Sequence, residues 1–310
     1  MLTRDEDLQL RDSIFAWLRA RQLSKPFFSR NDLAAFEYQN REIRLIGPQT
    51  GIWKLTGVSE GAIGIWSSYV PEGQERPYED NFGDDGFLRY KWRGTDPNTA
   101  DNRALRFAME QGLPLVLYQG IGYEPGSKTQ IAQPIFPVYL IGEEPEYHQF
   151  VVALETSQHI ISTTEPATVI EIARSYNERV TKVRYHQPLF RARVIHAYEE
   201  RCAVCRLPFT ELLEAAHIKP DSEGGPARVS NGMSMCKIHH GAYDANILGI
   251  SPDYRIHIKE SVLRTFDGPT LQHSLKEMHG EILRQLPSEK VNQPDRDFLA
   301  ERFGRFEKAS

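Results

Sequence analysis

The chain holds three cysteines in 310 residues, with five methionines and four tryptophans. So small a number of cysteines excludes a disulfide scaffold. No apolar run approaches the roughly 20 residues that a membrane span requires, so no membrane partner is expected. The opening residues, Met1-Leu-Thr-Arg-Asp-Glu-Asp7, are acidic and lack an apolar signal core, which points to a cytoplasmic location. Internal repeats and low-complexity tracts are also missing. Positive charge is not in excess: the net charge of -5 argues by itself against a general nucleic-acid binder. The remaining composition, 40 % hydrophobic and 25 % charged, is that of a globular protein long enough for two cores.

What the chain does have is concentrated. All three cysteines fall in one 38-residue window, as Cys202-Ala-Val-Cys205 and Cys236-Lys-Ile-His239-His240. Two C-x-x-[C/H] knuckles supply three thiolates and an imidazole, the donor set of a tetrahedral structural zinc site: Cys202, Cys205, Cys236 and His239. The competing reading, three small buried hydrophobes, leaves the spacing unexplained.

A second polar set lies inside the window. His217 precedes Asn231 by 14 residues, and Asn231 precedes His240 by nine. Leu212–Ala216 reads as a strand, and Gly224-Gly225-Pro226 as a turn back. The segment with Cys236, His239 and His240 reads as the entry to a helix. On that helix His240 and Asp244 are four apart and share a face. Together they can hold a hard divalent cation, Mg²⁺ or Mn²⁺, apart from the zinc. His217 is then free to act as a general base near neutral pH. Each has a plainer reading: Asp244 as a surface or capping carboxylate, His217 as a satisfied core histidine, Asn231-Gly232 as a turn. Strand, turn, strand and helix around a metal make a ββα-metal unit.

The order His217, Asn231, His240, with Phe190-Arg-Ala-Arg-Val-Ile-His-Ala-Tyr198 ahead of it, resembles the HNH endonucleases over about residues 184–260. The resemblance implies His217 as the base that activates water. It implies Asn231 as the residue that fixes the loop and orients His217, and His240 as a ligand of the catalytic cation. Many family members carry an acidic or histidine metal ligand just before the base histidine. Here that residue is Ala216, so Asp244 or Glu214 has to complete the shell.

The rest of the chain reads as α+β. A helix is expected over 4–21, with Leu8, Ile14, Phe15 and Leu18 near one face. A short second helix is expected from Ser29 or Asn31. Strands are expected at Ile43–Ile46, Ala62–Trp66, Leu88–Trp92, Leu115–Tyr118, Phe136–Leu140 and Phe150–Leu154, interrupted by a helix over Thr99–Gln111. The architecture is a curled sheet or barrel with flanking helices over 1–154. A polar linker and helix follow over 155–182, and a zinc-stabilised ββα-metal domain over 183–310. In the last part a helix is expected over Pro188–Glu199, strands at Ile247–Ile250 and Tyr254–Ile258, and helices over Gln272–Arg284 and Pro294–Phe306.

Between Arg174 and Arg206 eight Lys or Arg stand against three Glu, a local balance of +5 that suits a phosphate backbone. The plain alternative is a solvated helix face. In the β-rich half, Tyr78, Asp80, Tyr90 and Trp92 are candidates for holding a flipped base, the rings by stacking and the acid by accepting from an exocyclic amine. The plain alternative is that the rings fill a sheet core. The pattern Pro77-Tyr-Glu-Asp80, Gly86-Phe-Leu-Arg-Tyr90, Gly94, Asn102-Arg-Ala-Leu105 and Pro137-Val-Tyr139 resembles an SRA-type (YDG, PUA-like) reader domain. That resemblance implies a modification-dependent restriction enzyme reading 5-methylcytosine or a related base. The expected partner is double-stranded DNA, with a homodimer if both strands are cut together. Other readings stay open: a zinc-stabilised DNA-binding protein without catalysis, a nuclease indifferent to modification, and a nuclease directed to RNA.

Overall fold

The computed structural model describes residues 1–71, 82–83, 85–156, 177, 179–266 and 268–309. These residues form two compact units, Met1–Leu189 and Phe190–Ser310. Tyr78, Asp80, most of the 155–167 linker and most of the helix expected to follow it lie outside the described residues.

The first unit begins with α1 (Arg4–Gln22). Thr3 and Glu6 cap it reciprocally, and three acids lead while Arg19 and Arg21 trail, as the helix dipole favours. Its buried face is Leu10, Ile14, Phe15 and Leu18. Leu8 was expected there, but Leu10 takes that place and Leu8 is only half-buried. The same face buries Arg11, which pairs with Asp7 at 2.7 Å and donates to the carbonyls of Ala62 and Pro114 at 2.9 and 2.6 Å. These bonds replace most of the water the guanidinium gives up.

The second helix does not form. Ser29 donates from both its amide and its hydroxyl to the Asp32 carboxylate at 2.7 and 2.8 Å. That local pairing closes a turn, leaving only a short 3₁₀ segment at Asp32–Ala34. The strand expected at Ile43–Ile46 is displaced: β2 (Phe36–Tyr38) pairs with β3 (Arg41–Ile43), and Leu45 and Ile46 are buried beyond it.

The main sheet of the described residues has seven strands. Its order is β4 (Ile52–Lys54), β5 (Ala62–Ser67), β7 (Leu115–Tyr123), β8 (Gln130–Glu144), β9 (Gln149–Ala153) and β6 (Leu88–Lys91), with β1 (Phe28–Ser29) also on β8. Only β5 and β7 run parallel. The 15-residue β8 pairs with β7 through its first half and with β9 through its second. Register shifts at Gly120/Gly122 and Leu140/Gly142 mark bulges, which bend and twist a sheet. The sheet therefore curls into a half-barrel. Helix α2 (Ala100–Glu110) starts at the Thr99 cap as expected. Leu33, Phe36, Trp66, Val116 and Tyr118 join the face of α1 in one core.

The second unit is built on two short hairpins and several helices. Helix α3 (Gln187–Ala197) leads into the hairpin of β10 (Leu213–His217) and β11 (Gly232–Cys236). Then come α4 (Lys237–Asp244), the hairpin of β12 (Leu248–Ile250) and β13 (Ile256–Ile258), α5 (Glu260–Arg264), α6 (Pro269–Ser274) and α7 (Arg296–Ala309). The helix expected over Gln272–Arg284 is broken. Gly280 adopts φ +83°, and Ile282 instead bridges to Arg255 beside β13. No helix of the described residues is long and apolar enough to cross a membrane.

Candidate active site and metal centre

The knuckles come together as their spacing predicts. One ligand atom from each of Cys202, Cys205, Cys236 and His239 lies within 4.8 Å of the others. The Cys236 and Cys202 sulfurs stand 3.1 and 3.5 Å from His239 Nδ1. On the far side of the ring, Nε2 is 2.7 Å from the Ser274 carbonyl at the end of α6. A carbonyl can only accept, so Nε2 carries the proton and Nδ1 presents a lone pair to the sulfurs. Three sulfurs and one correctly aimed imidazole nitrogen fit a tetrahedral metal ion. Hydrogen bonds from Cys202 and Cys205 hold the Cys236 thiol far down, while those of Cys202 and Cys236 push the Cys205 thiol far up.

The hairpin carrying His217 is held by Asn231. This residue is fully buried, and its side chain accepts from the Lys219 amide at 2.9 Å. It donates to the carbonyls of Lys219 and Pro226, both at 3.0 Å. The Asn231 carbonyl accepts from the Ile218 amide at 3.0 Å. Asn231 therefore ties the two ends of the loop at the residues that follow His217. Gly232 is not a turn residue. It sits in β11 opposite His217, and a Cβ there would come within 2.5 Å of Val194 and 2.7 Å of the Phe190 ring. The absent side chain lets α3 close against the hairpin.

That close approach places Phe190 on His217. The rings stack with centroids 4.0 Å apart and planes 15° from parallel. Phe190 is buried and His217 half-buried, so one imidazole face is covered by the phenyl ring.

His240 projects from α4 with a carboxylate on each ring nitrogen. Glu214 Oε2 lies 2.6 Å from Nδ1, and Asp244 Oδ2 lies 3.3 Å from Nε2. Glu214 and Asp244 thus stand on opposite edges of the ring. Among the described residues the Cys202 cluster is the one group of three or more His, Cys, Asp or Glu side chains that converges on a point. Glu214 and Asp244 therefore both touch His240, each at a different ring nitrogen.

The loop that Asn231 ties is also braced from α7. Arg305 donates to both Glu223 oxygens at 2.7 and 2.5 Å and holds that carboxyl below the usual range. Arg228 pairs with Asp295 at 2.9 Å. No short-range pattern marks these residues. The expected basic stripe is partly structural: Arg191 donates to the carbonyls of Thr210 and Leu213, both at 2.9 Å, so it is not free for a phosphate.

In the first unit, Tyr90 on β6 and Trp92 just beyond it are buried. They also line a cavity of about 290 Å³ with Arg30, Thr50, Trp66 and Lys91. Tyr90 donates to the Gly51 carbonyl at 3.1 Å, which holds its ring against the wall.

Residues 202–251 match the model of the HNH_2 family, described as HNH endonuclease. The β10–β11–α4 window is therefore the part of the chain that is similar to an HNH endonuclease. Two solved structures are similar at low identity. The modification-dependent TagI restriction endonuclease is 17 % identical, covering 91 % of this chain and 92 % of its own, with a TM-score of 0.30. The type IV phosphorothioation-dependent restriction endonuclease ScoMcrA is 12 % identical, covering 71 % of this chain and 54 % of its own, with a TM-score of 0.27. No curated protein matches.

Proposed function

We propose that the chain is a metal-dependent endonuclease of double-stranded DNA, with a structural zinc ion at Cys202, Cys205, Cys236 and His239. A divalent cation, Mg²⁺ or Mn²⁺, binds at His240 Nε2 and Asp244. His240 Nδ1–H donates to Glu214, which aims the opposite nitrogen outward, the usual carboxylate–imidazole arrangement behind a metal ligand. On this reading Glu214 orients and Asp244 ligates, which answers the missing side chain at Ala216. His240 and Asp244 would hold such a cation with open positions left for substrate oxygen. When bound, it supplies charge to the phosphodiester and to the departing oxygen.

His217 removes a proton from water, whose oxygen attacks phosphorus as the sugar oxygen on the opposite side leaves. Stacking on Phe190 sets the plane of the imidazole, and Asn231 sets the path of the backbone beyond it. The observation that carries this reading is the pairing of a fully bonded Asn231 beneath His217 with a His240 already oriented by Glu214. The test is nicking of supercoiled plasmid with Mg²⁺, with Mn²⁺ and with EDTA. Nicking restored by either cation after chelation is expected. Binding without nicking under every condition would leave a zinc-stabilised DNA-binding protein instead.

The first unit is the candidate for target choice, as an SRA-like reader over residues 1–154. Its cavity beside Tyr90 and Trp92 supports reading of one extrahelical base, such as 5-methylcytosine or a relative. Tyr78 and Asp80 stand as further reader candidates on sequence alone. Paired plasmids, methylated and unmethylated, test the dependence: equal cutting of both rejects it and leaves the nuclease intact. One HNH site cuts one strand, so a double-strand break requires a homodimer or two successive nicks.

A further inference from the structure

Helix α4 carries one stripe that the chain leaves uncovered. Lys237, His240, Gly241 and Asp244 stand at i, i+3, i+4 and i+7, the spacing of a single helical face. Lys237, Gly241 and Asp244 are exposed, whereas His239, Ala242 and Tyr243 turn inward. Lys237 makes no side-chain hydrogen bond or ion pair among the described residues. Gly241 is the odd member. Apart from proline, glycine is the least favourable residue in a helix interior. Its φ is not in the left-handed region, and a Cβ built on it would meet nothing within 4 Å. The chain itself therefore has no need of a missing side chain at 241. Gly304 in α7 is open in the same way, so the glycine gains meaning only from the groups beside it.

Those groups share one chemistry. His240 and Asp244 are the ligands of the proposed cation, so the scissile phosphate lies against them on that reading. Glu214 and Asp244 repel an anion, and the cation has to offset them. Lys237 is the charge of the stripe that attracts an anion unaided. Side chains at i and i+3 have Cβ atoms about 5–6 Å apart, which sets Lys237 one turn along the helix from His240. One DNA strand places a phosphate at every rise of about 3.4 Å along its axis, so the lysine stem reaches a phosphate beside the scissile one. Position 241 lies between Lys237 and Asp244 on the same line. A side chain there would stand against a strand laid along the stripe, and glycine is the residue that lets a ligand come close to backbone.

We propose that the α4 stripe is the docking track for the backbone of the DNA strand that is cut. Lys237 holds a phosphate next to the one at His240 and Asp244, and Gly241 lets the sugar-phosphate chain close on the helix between them. Lys237 is a positioning residue and touches no reacting atom. This rests on the endonuclease reading above and adds to it the path of the strand across α4.

The test compares the full-length parent with Lys237→Ala, Lys237→Arg, Gly241→Ala and Gly241→Leu. Zinc content and thermal melts report the fold. Anisotropy of an end-labelled duplex with Mg²⁺ and Mn²⁺ withheld, and plasmid nicking with Mg²⁺, are each read over a series of KCl concentrations. Lys237→Ala should weaken binding about tenfold at low salt and lower the slope of log affinity on log salt by about 0.9. The loss should be equal for methylated and unmodified duplexes, because a phosphate carries no base information. Nicking should fall at limiting DNA and recover at saturating DNA, and Lys237→Arg should keep the parent slope. Gly241→Ala should melt at or above the parent and yet nick more slowly; Gly241→Leu should nick more slowly still with its zinc retained. An unchanged salt slope in Lys237→Ala removes the phosphate contact and overturns the proposal. So does a Gly241→Ala protein that melts lower, since the chain itself then needs the glycine, or one that nicks as the parent does. If the parent binds duplex but nicks with no cation, the endonuclease reading fails, and the slope of Lys237→Ala still decides whether α4 docks DNA. A parent that binds no duplex overturns both.

Discussion

Two neighbouring residues of the C-terminal unit, His239 in the metal-capable cluster and His240 in the proposed cation site, have surroundings built in opposite ways. The Cys202 cluster offers four donors that converge, three of its members buried, with the imidazole tautomer set by the Ser274 carbonyl. The His240 site offers one imidazole with carboxylates on opposite edges, and Asp244 is 66 % exposed. A closed shell has no room for a reacting ligand; an open one requires it. Helix α4 divides the labour by presenting its first turn both inward and outward, since consecutive helical residues point about 100° apart.

The largest break in that comparison comes from the closed site. Cys236→Ser should release one equivalent of metal and unfold the C-terminal unit. Binding free energies of about 10–16 kcal/mol for structural zinc exceed or match the whole stability of most domains. Metal content and a thermal melt read the result, and a cooperative, metal-free variant would remove the structural role. At the open site, His217→Ala should lower cleavage about 10²- to 10⁴-fold while metal content and melting stay as in the parent. Plasmid nicking at a series of pH values measures it; an unchanged rate excludes the histidine as base.

Glu214→Gln sharpens the difference between orienting and ligating. It should weaken binding of Mn²⁺ about 10- to 100-fold, followed by the free-ion paramagnetic signal, with zinc retained. If Asp244→Asn leaves Mn²⁺ affinity untouched while Glu214→Gln abolishes it, the two roles are reversed. Asn231→Ala leaves the Lys219 amide and two carbonyls unpaired and should cost about 1–3 kcal/mol in denaturant unfolding, with cleavage falling as well. The smallest effect lies in the first unit. Hydrogen bonds from Arg89 hold the Glu144 carboxyl below its ordinary 4.5. A carboxyl lowered by folding adds stability that is complete above that value and is lost as pH falls through the lowered one. Melts between about pH 6 and about pH 3 should show this decline, and Arg89→Gln should flatten it.

Short-range order was legible wherever a local rule governs it. The Cys-x-x-Cys and Cys-x-x-His pairs each lie within one turn, so spacing alone predicts which atoms can meet. The Thr99 cap, the face of α1 and most strands of the sheet follow from propensity and period. The errors have local causes too. The Asp32 carboxylate captured Ser29 and closed a turn where a helix was expected, and Gly280 broke the pattern over Gln272–Arg284.

The sequence by itself determined the cluster of thiolates and imidazole, the order His217, Asn231 and His240, and the alternation of β-rich and helical segments. Tertiary structure alone decided what touches the reactive groups. Glu214 reaches His240 across 26 residues, Arg305 reaches Glu223 across 82, and Phe190 covers His217 only because Gly232 admits α3. A periodic pattern tells which face of an element is buried, but hydrogen bonds and ring contacts depend on which elements meet and at what register, and those are set by packing of the whole unit.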